Sequence, residues 1–351
     1  MSSNKGRLIE FLHGVAEIVE AEDGSSRLFR VPQCLLPKLN ERVNIRVFSP
    51  AGTELRFRMG ASPVRIRLRR MPDVGNPVFN SQTAVLAGIF RGDFQESWIA
   101  LQEGDNEIEI APFTGSTDVL ARNRSRFSPE LTRIVLPPFI ELRLLELEGD
   151  IEPARPGDSP GITCLAYGSS ITQGAYTPLG TGSYPAVLAR ELGVDVCNLG
   201  FGGGALLEPE IAEWIVSRGD WHFATLELGA NLFHLSADEF RLKVRTFLAV
   251  FASDSRRRPV FCLDLLPNPG EINGGAKEKA AAFRKAVEEE INAAGAAFLF
   301  RLEYAASLPR VSDLSTDLLH PAAHAFESIG RNLADQIKRL RGHGAGFSSV
   351  R

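Results

Sequence analysis

Ile162-Thr163-Cys164-Leu165-Ala166-Tyr167 is a short apolar run that stops at Gly168-Ser169-Ser170-Ile171-Thr172-Gln173-Gly174. Six apolar-rich residues ended by glycine and small polar residues predict a buried strand followed by a tight turn. Similar runs recur at 194–199, 223–228, 260–265 and 297–300. Between and after them apolar residues fall at helical intervals, as in Phe283/Val287/Ile291 and Phe326/Ile329/Leu333/Ile337/Leu340. Strands alternating with helices predict an α/β domain whose parallel sheet is covered on both faces. Ligands of such sheets bind beyond the carboxyl ends of the strands, so the strand ends are where chemistry is expected.

Ahead of this region the rhythm is different. Val43/Ile45/Val47, Leu55/Phe57/Met59, Val64/Ile66/Leu68 and Ile108/Ile110 alternate with polar residues. Period-two runs broken by Gly, Pro, Asn and Ser predict an antiparallel sandwich or jelly roll. The stretch 148–161 carries three prolines and few apolar residues, which reads as a connection. The expected organisation is a β-sandwich domain over 1–150, a linker over 151–160, a catalytic domain over 161–342 and a flexible tail over 343–351. Arg56, Arg58, Arg65, Arg67 and Arg69 alternate with core positions, and a solvated sheet face is expected there.

A net charge of −4 and a pI near 6.0 argue against a nucleic-acid partner, which calls for a basic face. The opening residues lack the apolar run of a signal peptide, and no segment approaches the ~18 apolar residues of a membrane span. Cys164, Cys197 and Cys262 lie in apolar runs and Cys34 apart from them, a spacing that suits neither a zinc site nor a disulfide framework. Reduced thiols and a cytoplasmic location are expected.

Each strand end offers something different. The first presents Ser170 just past Gly168. The second runs into Asn198-Leu199-Gly200-Phe201-Gly202-Gly203-Gly204, whose glycines permit the backbone to aim N–H groups at a developing oxyanion. The same stretch fits G-x-G-x-x-A through Gly200, Gly202 and Ala205, with Glu227 spaced for a ribose, so a dinucleotide site is a rival reading. The third end gives Gly229-Ala230-Asn231, a candidate amide donor. After the fifth comes Asp317-Leu318-Leu319-His320-Pro321, with Pro321 suited to a first helical turn and Asp317 placed to orient His320. His320 and His324 share a four-residue spacing, but the glutamate of a metalloprotease motif is missing, so neither a metal nor a cofactor is expected. Singly, each feature is as readily a turn or a cap. In order, they provide a nucleophile, oxyanion donors, a base and its orienter.

These blocks resemble those of the SGNH (GDSL-like) hydrolase superfamily over about residues 163–340. The resemblance implies a flavodoxin-like doubly wound sheet, Ser170 as nucleophile, and Asp317 and His320 as the rest of a triad. It further implies an oxyanion hole made by Ser170, Gly203 (or its neighbour Gly202) and Asn231. Two positions depart from the family pattern: Ser169 stands where the first block usually has aspartate, and Leu232 follows Asn231 where an aspartate is frequent. With the β-rich region in front, the chain is similar to a two-domain bacterial branch that includes carbohydrate deacetylases and a natural-product acyltransferase. The expected function is a serine esterase acting on small O-acyl esters, with acylated sugars and small metabolites as candidate substrates. Acyl transfer on the same scaffold is the alternative. A carbohydrate-binding protein without activity and a dinucleotide-dependent oxidoreductase are weaker ones. An α/β-hydrolase would need G-x-S-x-G around the serine, and residues 168–172 read Gly-Ser-Ser-Ile-Thr.

Overall fold

The structure is a computed structural model that describes residues 8–72, 85–122, 125–272, 274–308 and 310–342; the expected tail over 343–351 lies outside them. The chain forms two compact units. The first comprises Met1–Leu36, Asn44–Gly161 and Thr177–Thr181, and the second Pro37–Val43, Ile162–Tyr176 and Gly182–Arg351.

The first unit holds β1 (Leu12–His13), β2 (Glu17–Glu20), β3 (Ser26–Phe29), β4 (Glu54–Met59), β5 (Val64–Arg70), β6 (Leu86–Arg91), β7 (Phe94–Ala100), β8 (Gly104–Ile110), β9 (Leu131–Val135), β10 (Leu142–Glu148) and β11 (Ile151–Pro153). They form two antiparallel sheets, β1-β4-β9-β6-β7 with β11 also on β4, and β2-β3-β10-β5-β8. Alternation drives the pairing: Leu55 and Phe57 from one sheet and Val64, Ile66 and Leu68 from the other are buried together, as expected of facing sheets.

Three details differ from the sequence reading. Val43, Ile45 and Val47 do not form a strand. Residues Glu41–Arg46 are a helix, the Asn40 side chain accepts from the Val43 N–H at 3.1 Å, and Val43 and Val47 are both fully buried, one turn apart. A three-residue apolar alternation is too short to tell period two from an i, i+4 pair. Within the stretch read as a connection, Ile151–Pro153 pairs with β4, and buried Asp158 receives both ends of the Arg58 guanidinium at 2.8 and 2.7 Å. The arginines of β4 are also less solvated than expected, while those of β5 lie on an exposed or half-exposed face. Arg56 is buried against Glu54 at 2.8 Å, and on β5 Arg65 meets Glu107 at 3.0 Å and Arg69 meets Asp105 at 2.5 Å. Burial would raise the Glu54 carboxyl, but Arg133 and Arg56 hold it well below the usual carboxylate range.

The second unit contains β12 (Thr163–Gly168), β13 (Asp195–Gly200), β14 (Phe223–Glu227), β15 (Val260–Leu263) and β16 (Leu299–Leu302). All neighbours are parallel, in the order β13-β12-β14-β15-β16. This is the doubly wound, flavodoxin-like arrangement, and its direction reverses around β12. The last strand lies two residues later than the apolar run suggested. On one side the helices Pro209–Ser217, Ala237–Ala252 and Lys277–Ala294 pack in series, and on the other Tyr184–Leu192 packs on Ala323–Gly342. The final helix buries Phe326, Ile329, Leu333 and Ile337 completely, each burial contributing about 1.5–3 kcal/mol. Its position beside Tyr184–Leu192 brings its entry back toward the end of β12. No helix among the described residues is long and apolar enough to cross a membrane.

Candidate active site

The first strand end makes its turn by starting a helix. Ser169 caps Ser170–Gln173, its Oγ accepting from the Ile171 N–H at 3.1 Å. Ser170 is thus the first helical residue, with no preceding turn to accept its N–H, and among the described residues that N–H has no partner. Its Oγ lies 2.6 Å from His320 Nε2. The other ring nitrogen, Nδ1, is 2.6 Å from Asp317 Oδ2. Both nitrogens of His320 are therefore engaged, and His324 instead faces Asp313 at 3.5 Å.

The loop 313–322 that delivers His320 is closed on itself. Ser315 N–H donates to His320 O at 2.7 Å and Ala322 N–H to Asp313 O at 2.8 Å, around the single bridge between Leu314 and Pro321. The helix begins at Ala323 and not at Pro321, which leaves His320 in the turn before it. Asp317 Oδ1 accepts from Ser315 Oγ at 2.7 Å and from the Leu319 and His320 N–H groups at 3.0 Å each. Burial works to raise the Asp317 carboxyl, but the bonds from the His320 ring and these backbone groups outweigh it and hold the group far below the usual carboxylate range. Tyr176 adds a hydroxyl on Oδ2 at 3.2 Å, and its ring stands 5.5 Å from the imidazole. No sequence signal marked Tyr176.

The second strand end lies against the first. Asn198 Nδ2 donates to Thr172 O, and Asn198 Oδ1 accepts from Gly200 N–H, both at 2.8 Å. Gln173 Oε1 takes the Gly202 N–H at 2.7 Å. A methyl group at Gly200 would collide with the Gln173 backbone, so glycine is what allows the two loops to meet. With Gly202 occupied, the free amide of this loop is that of Gly203, which has no acceptor among the described residues. Gly203 has φ +73°, a left-handed conformation natural to glycine.

Asn231 follows β14 in a short 3-10 turn. With Nδ2 turned to the neighbouring loop it makes one long bond, 3.4 Å, to Phe201 O. Turned the other way, Oδ1 accepts from Gly204 and Ala205 N–H at 3.3 and 3.1 Å. The second orientation pairs more groups and leaves Nδ2 to face acceptors.

Glu227, the rival ribose ligand, is spent on the fold. It is buried at the end of β14, accepts from Ser169 N–H at 2.9 Å and Ser169 Oγ at 2.8 Å, and from Thr172 N–H at 3.3 Å and Thr172 Oγ1 at 2.5 Å. The helix after the glycine loop begins only at Pro209, unlike a dinucleotide fingerprint, in which glycines open the helix. A carboxylate absent at position 169 is thus present beside it, from the adjacent strand.

Replacing Glu227 with Leu takes the carboxylate acceptor from four donors and is expected to cost about 3 kcal/mol or more. Burial raises the Glu227 carboxyl against the pull of those donors. Its stabilisation is therefore full below the ordinary value of 4.5 and declines as pH rises through the higher folded value. Thermal melts of wild type and Glu227→Gln across that window should show wild type losing relative stability as pH rises. A wild type that gains contradicts the assigned direction.

Residues 163–328 match the model of the GDSL-like Lipase/Acylhydrolase family, which supports ester-cleaving enzyme activity. No curated protein sequence matches the chain. Among solved structures, the salicylyl-acyltransferase SsfX3 from a tetracycline biosynthetic pathway superposes with a TM-score of 0.79 at 18% identity, over 95% of each chain. A protein described as a GDSL-like lipase, from Bacteroides ovatus ATCC 8483, gives 0.73 at 18% identity, over 94% of this chain and 95% of its own. A family two carbohydrate esterase from Cellvibrio japonicus gives 0.62 at 13% identity, over 95% and 96%. These likenesses establish the fold: an SGNH-type parallel sheet preceded in the chain by an antiparallel β domain.

Proposed function

We propose that this chain is a serine esterase of the two-domain SGNH type that cleaves small O-acyl esters through Ser170, His320 and Asp317. The observation that carries the proposal is the unbroken row from Ser170 Oγ through both His320 nitrogens to Asp317, at 2.6 Å per step, beside two unspent amides. In the proposed cycle His320 takes the Ser170 proton as Oγ adds to the ester carbonyl, and Asp317 stabilises the imidazolium. The Ser170 and Gly203 N–H groups, with Asn231 Nδ2, receive the negative charge that forms on the carbonyl oxygen. The C–O bond breaks, His320 returns its proton to the departing alcohol, and water activated by the same ring releases the acid.

The carbohydrate-esterase likeness supports acylated sugars as a substrate class. The likeness to an acyltransferase favours a second reading, in which another hydroxyl intercepts the acyl-enzyme in place of water. Turnover of acetylated sugars and p-nitrophenyl acetate by wild type but not Ser170→Ala tests the first reading. Acylated product from an added alcohol, at the expense of free acid, tests the second.

Asn231→Ala should leave KM near the wild-type value and lower kcat by about 10²–10³, the effect of deleting one oxyanion donor. A change confined to KM assigns Asn231 to binding or to the turn.

A further inference from the structure

Residues Pro37–Val43 group with the second unit although some 120 positions separate them from its first strand. Asn40 fastens the segment to the glycine loop: its Nδ2 donates to Gly204 O at 2.8 Å and to the Glu208 carboxylate. Arg42 is the second residue of the short helix. A methyl group built on Gly203 would lie 3.0 Å from Arg42 Cδ, 3.4 Å from Nη1 and 3.7 Å from Nε. A Cβ stands about 2.5 Å from its own backbone N, so the guanidinium is no more than about 6 Å from the Gly203 nitrogen.

An exposed arginine is ordinarily a solvated one, but Arg42 is distinguished by its position. It is exposed, and among the described residues nothing accepts a hydrogen bond from its guanidinium. Elsewhere in the same unit Arg190, Arg284 and Arg301 each meet a carboxylate at 2.6–2.9 Å. Its stem is held against the backbone of the loop whose free amide is the proposed oxyanion donor.

We propose that Arg42 is a specificity-determining residue that binds an anionic group, a carboxylate or phosphate, on the ester substrate. The proposal rests on the esterase reading of the same site. The planar guanidinium can take a carboxylate or phosphate with two parallel hydrogen bonds, which a lysine cannot do. The chain then prefers esters that carry a negative charge a short distance from the scissile carbonyl.

Two matched ester pairs test this. 4-Acetoxybenzoate and its methyl ester place the charge on the alcohol side; mono-4-nitrophenyl adipate and 4-nitrophenyl hexanoate place it on the acyl side. Arg42→Gln should lower the charged-to-neutral ratio of kcat/KM in one pair by about 10–100-fold, the usual range for a hydrogen bond to a charged group, mainly through KM. The pair that responds identifies the side. Equal loss on both members of each pair, or no change, overturns the proposal while leaving the esterase reading intact. Turnover that survives in Ser170→Ala sinks the esterase reading, and the Arg42 proposal with it.

Discussion

Ser170→Ala and His320→Ala are each expected to lower kcat by about a million-fold, and the double variant to be little worse than either. Ser170 Oγ and His320 Nε2 lie 2.6 Å apart and act as one unit in the proposed cycle. A serine hydroxyl is a weak nucleophile until a base takes its proton during attack. Removing the imidazole leaves a hydroxyl that reacts hardly better than water, and removing the hydroxyl leaves a base with nothing to activate. The two losses therefore share one cause and do not multiply. Single-turnover kinetics on p-nitrophenyl acetate measures all three variants. Multiplying losses would separate the residues into independent roles and dissolve the proposed unit.

Asp317→Asn should cost about 10⁴ in kcat, by analogy with the same change in another triad. Asp317 uses both oxygens as acceptors, one for three donors of its own loop and one for His320 Nδ1 and the Tyr176 hydroxyl. An asparagine has a single acceptor oxygen. If that oxygen stays with the loop, the NH₂ group faces Nδ1 and forces the imidazole proton onto Nε2, where it blocks acceptance of the Ser170 proton. If the amide flips, the NH₂ opposes the Leu319 and His320 N–H groups and loosens the turn that holds the ring. Both outcomes slow the acyl-forming step more than they weaken substrate binding, so kcat should fall with KM little changed. A loss below about ten-fold would make Asp317 a loop-closing residue only.

The features legible in the sequence are those written in contiguous residues. The turn 168–174, the glycine loop after β13, Asn231 and the Asp317-to-His320 segment each announce themselves at a strand end, because apolar runs and glycines record local backbone needs. Features that local sequence does not mark depend on contacts across loops. Glu227 reads as the end of a strand, and only the fold brings Ser169 and Thr172 onto its carboxylate. Gln173 decides which glycine keeps a free amide, yet its neighbours in sequence say nothing of Gly202. The helix at Glu41–Arg46 was hidden for another reason: Val43, Ile45 and Val47 satisfy a strand pattern, and the burial of the first and last belongs to helical spacing. Arg42 was invisible for both reasons together.

In the proposed cycle Ser170 carries the acyl group, and Ser169 beside it supplies the natural control, since its hydroxyl is committed to Glu227. Peptide mass spectrometry after reaction with diethyl p-nitrophenyl phosphate tests this most directly. A single phosphorylated serine, Ser170, is expected, with the label absent from Ser170→Ala and formed far more slowly in His320→Ala. Label on Ser169 or on a residue outside this site, or equal labelling of Ser170→Ala, would contradict it.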